Sequence, residues 1–296
     1  MISVIIPSYN SESTIIPVLN ALKKQTYQDA YEIILVDSSD DNTPRLVKEK
    51  FPDIRFHHFN TKTDPGTARN LGIQMSSGDP ILFIDSDCIA RPDWIENMVR
   101  AHREYAYEAI GGAVENGNNP HNHTAWAGYI AEFREFLPGH PAHLAEHIPT
   151  CNISYKRQVF RNEGFNPHYY PQEDLEFNYR LRQAGGHIYF VPSIRIYHRH
   201  RETLKDFFEH QKKIGQITAR MLKILPLQGA KIARSRIRAL LLSPILPAVK
   251  WFKTVLVFLK TNPKLLFTHP LGFFIFALGL FPWISGFIIG TFRESE

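Results

Sequence analysis

Two aspartates, Asp85 and Asp87, stand two residues apart where the apolar run Ile81-Leu82-Phe83-Ile84 ends, in the stretch ILFIDSDC. Like charges so placed repel, and partial burial adds to the cost. A capped turn, a clasp for a hard divalent cation bridging a diphosphate, or acid–base chemistry would each account for them. Other residues bear on the choice. Asp37 closes a second apolar run in VDSSDD, where its carboxylate could accept a hydrogen bond from a nucleobase or ribose hydroxyl. As a cap for the following helix, Asp40 or Asp41 would serve better. Arg69 lies in Asp64-Pro65-Gly66-Thr67-Ala68-Arg69-Asn70, a turn of small residues feeding a helix. A helix N-terminus favours anions, and the guanidinium could pair with phosphate. Glu173 and Asp174 open a helix that stops at Gly185-Gly186; they are either dipole-favourable caps or include a general base. His198 is a candidate nitrogen ligand for a metal. The chain has no Gly-x-Gly-x-x-Gly or Walker-type loop, so neither dinucleotide nor P-loop binding is supported.

A strand–helix alternation must position these groups. Residues 2–6 (ISVII), 32–36 (EIILV), 54–58 and 81–84 read as strands, and 13–25, 42–50 and 67–75 as helices. A helix over 175–184 and strands over 187–191 and 194–197 follow. Such repetition predicts a parallel sheet covered by helices, with ligands at the carboxyl ends of its strands. Residues 7–10, 37–41 and 85–87 should therefore line one cleft.

Composition bounds what surrounds that cleft. The 296 residues are 44% hydrophobic and 21% charged, enough to bury a full core. Cys88 and Cys151 form no C-x-x-C pair or disulfide framework, which points to a reducing compartment. His140, His143 and His147 share a segment with Pro141 and complete no zinc set. Charge is divided unevenly: residues 199–264 hold 15 Lys and Arg against 3 Asp and Glu, whereas 1–198 hold 18 against 24. An acidic body with one basic segment is not the profile of a nucleic-acid binder, and it suits an anionic membrane surface better. Residues 271–292 carry no charge; as a helix they would reach about 33 Å, close to the hydrocarbon thickness of a bilayer. Residues 239–259 contain Lys250, Lys253, Pro244 and Pro247 and read as an interfacial or kinked helix. The start, MISVIIPSYN, lacks a basic leader and reads as a strand rather than a signal peptide. The basic segment ahead of the apolar tail places residues 1–265 on the cytoplasmic side. The triplets Asn122-His123-Thr124 and Asn152-Ile153-Ser154 are then incidental as glycosylation sites.

Taken in order, SVIIPSYN (3–10), VDSSDD (36–41), DPGTARNLGI (64–73), FIDSDC (83–88), TCNISYKR (150–157), QEDLEFNYRLRQAGG (172–186) and IYHRHRET (196–203) resemble the family 2 glycosyltransferases of the GT-A fold, over about residues 1–205. The resemblance implies an α/β fold: a Rossmann-like nucleotide-sugar-binding sheet flanked by helices. It also implies an inverting sugar transfer from a nucleotide diphospho-sugar, a UDP- or GDP-sugar, with Mg²⁺ or Mn²⁺ bound. Carried over residue by residue, Pro7, Tyr9 and Asp37 would hold the nucleoside, with Asn10 beside them, and Arg69 would lie near the nucleotide and its phosphates. Asp85, Ser86 and Glu173 would face the donor, Asp87 and His198 would bind the metal, and Asp174 would be the base. Asn152 would sit in the donor-sugar and acceptor region. Two departures matter. Ser38-Ser39 follow Asp37 where many relatives carry a further acidic residue, so base or ribose recognition differs. The Q-x-x-R-W motif of processive synthases is absent, which favours one transfer per binding event.

The expected organisation is a catalytic domain over 1–205, with a nucleotide-binding half to about 110 and an acceptor-side half over 111–205 that includes the loop 115–148. A basic, partly amphipathic helical segment over 206–265 and a transmembrane helix with a short tail over 266–296 would follow. The expected acceptor is a glycan or a lipid-linked molecule at the membrane. Two alternatives stand beside this reading. A metal-dependent nucleotidyl- or phosphoryltransferase would use Asp85 and Asp87 but give Asp174 no task. A non-catalytic nucleotide-sugar-binding membrane protein would not require metal, base and histidine positions together.

Overall fold

The computed structural model describes residues 1–293; residues 294–296 of the expected tail lie outside the described residues. The chain forms two compact units. One comprises residues 1–117 and 140–198, the other residues 118–139 and those from 199 onward. This division differs from the expected boundary at 205/206.

In the first unit the elements run β1 (Ile2–Ser8), α1 (Ile15–Lys23), β2 (Tyr31–Asp37), α2 (Thr43–Lys50), β3 (Arg55–His58), α3 (Pro65–Met75), β4 (Ile81–Phe83), β5 (Cys88–Ala90), α4 (Trp94–Glu104) and β6 (Ala109–Asn116). After α5 (His123–Glu132), which belongs to the second unit, come β7 (His143–Ala145), β8 (Ile153–Tyr155), α6 (Glu173–Gln183) and β9 (Ile188–His198). The strands of the described residues form one sheet in the order β3-β2-β1-β4-β8-β6-β9-β5, with β7 on β9. β1 pairs in parallel with β2 and β4, and β2 with β3. β8 runs antiparallel to both β4 and β6, so β6 and its parallel partner β9 point the same way as β1. The sheet is therefore mixed rather than parallel throughout, yet the carboxyl ends of β1, β2, β4, β6 and β9 still share one edge.

Local chemistry explains these elements. Every residue of β1 is buried, as a continuous apolar run covered on both faces should be. α3 starts two residues earlier than expected. Asp64 caps it, accepting from the Thr67 N–H at 2.9 Å, and Pro65 tolerates the first helical position. Two short strands were expected over 187–197; one irregular strand, β9, is observed. Its register slips so that Val191 pairs with Gly112 and Arg195 with Ala113. Pro192, which has no N–H to give a ladder, falls in the slip. A Cβ at residue 112 would overlap the Ile194 carbonyl, so only glycine lets the two backbones approach there.

The second unit is helical: α5, α7 (Leu204–Ile224), α8 (Ala230–Ala233), α9 (Arg236–Leu242), α10 (Leu246–Thr261), α11 (Pro263–Thr268) and α12 (Pro270–Phe292). α12 packs along α7 and against α5. Side chains at Gly215 and Gly286 would overlap the carbonyls of Trp283 and Lys212, so the two backbones touch. Ala219, Ala233, Ala239, Trp283 and Phe287 form the local core. Residues 118–139, expected in the acceptor-side half, join this unit because α5 buries Ala125, Ala127, Tyr129 and Ile130 and shares its packing with α12. The kinked reading of residues 239–259 matches the bend of 65° between α9 and α10. Among the described residues α12 is the one helix long and apolar enough to cross a membrane, or one of two if the bent pair counts as a span.

Candidate active site

The sheet topology brings three of the polar loops to one edge. Ser8 and Asp37 are register partners at the ends of β1 and β2. β4 gives out into Asp85-Ser86-Asp87, and a 2.7 Å bond between the Ser86 and Ser11 hydroxyls ties that turn to the loop after β1. β5 starts at Cys88, whose antiparallel partner is His198 at the end of β9. That pairing sets the His198 Nε2 3.7 Å from the Asp87 Oδ1. A ligand atom of Asp87, Cys88 and His198 each lies within 4.8 Å of the others. Cys88 is the weak member. It is buried, its thiol is pushed well above the usual range by desolvation first and then by neighbouring groups including Asp87, and it points toward the Asp87 carboxylate at 3.4 Å. Asp87 and His198 offer an oxygen and an imidazole nitrogen, a donor pair that fits Mg²⁺ or Mn²⁺.

Arg69 joins the two halves of the site. Its side chain, 5% exposed, extends from α3 to the Asp85 Oδ1 at 2.8 Å and the Glu173 Oε1 at 2.7 Å. Burial raises the Asp85 carboxyl, against the pull of Arg69 and with help from Asp87. Glu173 is likewise raised by burial, with Asp174 adding to the effect. Desolvation alone would lower the guanidinium; the carboxylates around it reverse the direction and keep it charged. Both terminal nitrogens of Arg69 are thus engaged by carboxylates. Within the protein Arg69 clamps the turn after β4 to the start of α6. Next to Glu173, Asp174 accepts from the Thr150 N–H at 3.2 Å and the Leu175 N–H at 2.7 Å, which fixes its orientation.

Other expected ligand residues divide into open and closed. Tyr9 is 38% exposed, and the Lys62 ammonium sits 4.3 Å from its ring centre. Asn10 is also open; it adopts φ 50° and accepts from the Asp40 N–H through its side chain. Pro7 is enclosed within β1. Asp37 is fully buried: Ser39 donates to it from its hydroxyl at 2.6 Å and its N–H at 3.1 Å, and the His58 Nδ1 lies 2.7 Å away. Asn152 is fully buried. Its amide donates to the carbonyls of Ala113 and Ile194 and accepts from the Trp94 indole at 2.8 Å, so it fills the gap left by the β6–β9 slip. Both amide N–H groups and one lone pair of the amide oxygen are thus used inside the protein.

Sequence reasoning missed His58, Ser11, Lys62 and Thr150. Of these only His58 had a readable signal, as the last residue of a strand whose parallel neighbour ends at Asp37.

The family model described as Glycosyl transferase family 2 matches residues 3–165, just over half of the chain. Glycosyltransferase AglE of Haloferax volcanii is 29% identical over 236 residues, which cover 77% of this chain and 76% of that one. The mannosyltransferase PcManGT from Pyrobaculum calidifontis, solved in complex with GDP-Man and Mn²⁺, aligns with a TM-score of 0.63 at 17% identity, over 99% of this chain and 88% of that one. S. aureus TarS 1–349, in complex with UDP-GlcNAc, aligns with a TM-score of 0.55 at 19% identity, over 94% and 90%. At such identities the two structures share the GT-A fold with this chain.

Proposed function

We propose, on the premise that the chain belongs to the Glycosyl transferase family 2 and is a glycosyltransferase, that it moves a sugar from a UDP- or GDP-sugar to an acceptor hydroxyl by one in-line displacement with inversion. The observation that carries this reading is the meeting of Asp87 and His198, 3.7 Å apart, on the strand edge that also bears Tyr9 and Asp37. These two residues would hold a Mg²⁺ or Mn²⁺ ion. Bound there, such an ion offsets the negative charge that develops on a leaving diphosphate. Tyr9 offers a half-open aromatic face to the nucleobase beside the Lys62 ammonium. Arg69 holds Asp85 and Glu173 in place, and so fixes the turn that carries Asp87 relative to the helix start that carries Asp174.

Asp174 is the general base. Its two N–H donors leave lone pairs on the carboxylate for an incoming proton. As the acceptor oxygen bonds the anomeric carbon, its proton passes to Asp174. The electron pair of the sugar–phosphate bond leaves with the nucleoside diphosphate. Transfer ends after one sugar per binding event. The acceptor is a glycan or lipid-linked molecule, and the reaction runs on the cytoplasmic side of a membrane, a location supported by the basic segment 199–264 and the apolar helices after it. The ligands of PcManGT and TarS lend support to a nucleotide-sugar donor and, for the former, a divalent ion.

The test is a panel of nucleotide sugars with the full chain and Mn²⁺ or Mg²⁺, measuring release of nucleoside diphosphate. Asp87→Ala and Asp174→Asn should each lower release by roughly 10²-fold or more while circular dichroism stays unchanged. Full activity in Asp174→Asn would remove the base assignment. Pyrophosphate as product would favour nucleotidyl transfer instead.

A further inference from the structure

The helical unit carries a charge pattern that the sugar transfer does not use. From His210 to Arg293 the chain has 13 Lys and Arg and not one Asp or Glu. The same stretch holds most of the chain's exposed large apolar side chains. On α12 these are Leu271, Phe274, Leu278 and Phe281; on α10 they are Val249, Phe252, Leu256 and Leu259. Each set follows helical spacing and forms one stripe. The two stripes meet, because Phe252 and Phe281 both line an apolar groove of about 550 Å³ together with Pro244, Pro247, Trp251 and Leu280. Exposed Arg236, Arg238, Lys253 and Lys260 belong to the same helices or to the bent pair they form.

The opposite side of α12 is committed elsewhere. Its glycine face lies directly on α7, backbone against backbone. α7 exposes Lys205, Asp206, Glu209, Lys212, Lys213 and Arg220 along most of its length of about 31 Å. If α12 crossed a bilayer, α7 would follow it and bring those charges into hydrocarbon, where each is costly. A helix that lies in the interface with its bare stripe downward meets no such penalty.

We propose that the helical unit lies flat on one face of an anionic bilayer. The α10 and α12 stripes and their groove would enter the acyl region, the basic residues would meet lipid phosphates, and both ends of α12 would stay on the same side. This deepens, and rests on, the membrane part of the reading above, and it replaces the expected transmembrane span.

Two measurements test it with the full chain. In sealed inside-out membrane vesicles from expressing cells, Thr268→Cys and Arg293→Cys are introduced singly and treated with a membrane-impermeant maleimide. Cys88 and Cys151 are buried and give a low background. Both sites should label equally before and after detergent; labelling of either site only after detergent overturns the flat placement. In flotation, the purified chain should rise with phosphatidylcholine vesicles that contain phosphatidylglycerol and not with phosphatidylcholine alone. Arg236→Glu with Arg238→Glu should weaken that binding roughly tenfold or more. Equal binding to both vesicle types overturns the anionic partner. A chain that floats with neither overturns membrane attachment itself, while nucleoside diphosphate release reports separately on the glycosyltransferase reading.

Discussion

A guanidinium set between two carboxylates has one positive charge to offer two negative ones. Arg69 is in that position, and its removal would leave Asp85 and Glu173 facing each other with no cation between them. Arg69→Ala should therefore cost about 3–5 kcal/mol in urea unfolding, well beyond an exposed ion pair. Glu32 tells the converse story. Burial would raise its carboxyl, but donors from Ser3, Ser77 and Arg55 overcome that and bring it down to about 2. Because the folded value lies below the unfolded one, the stabilisation is complete above about pH 4.5 and fades as pH falls toward 2. Glu32→Gln should lose on the order of 2–3 kcal/mol at neutral pH and show a flatter stability profile between those limits, as read by denaturant midpoints across pH.

At the scale of elements, the β6–β9 slip is a defect repaired by one distant side chain. Asn152→Ala would strip partners from the Ala113 and Ile194 carbonyls and the Trp94 indole at once, all of them in the interior. A loss of roughly 2–4 kcal/mol is expected from thermal or denaturant melts. Residues 2–6 and 32–36 were legible as strands because they contain the fully buried apolar runs 4–6 and 33–36. Of the four three-residue strands only β4 was legible, because it falls in the apolar run 81–84; β5, β7 and β8 show neither such a run nor a period, which three positions cannot display. The same limit explains the site. Types and spacing made Asp85, Asp87, Glu173, Asp174 and His198 candidates, because strand ends and a helix start can be read from the sequence, and the family resemblance supplied their expected roles. They could not show that Asp37, Arg69 and Asn152 turn inward, because His58, Glu173 and Ala113, which hold them there, lie 21, 104 and 39 residues away.

For the whole molecule, the apolar tail was readable as apolar but its partner was not. Nothing in residues 271–292 announces that Gly286 will sit on the backbone of Lys212. The outcome of deleting residues 266–296 follows from that contact. The cut would uncover α7 and α5 and remove Trp283 and Phe287 from the local core. The truncated chain is therefore expected to aggregate rather than emerge as a well-behaved soluble enzyme, which size-exclusion chromatography after detergent-free lysis would read directly.

The path of the chain between its two units has a consequence in time. It leaves the sheet-bearing unit at residue 117, returns at 140 and leaves again after 198. During synthesis α5 emerges early, but α12, against which it packs, begins 138 residues after α5 ends. The sheet has all its strands once His198 is out, so it can close on the ribosome while α5 is still waiting. For that interval the apolar side of α5 has no partner of its own and is open to chaperones or to a bilayer surface. Birth order alone thus makes the helical unit the last to mature.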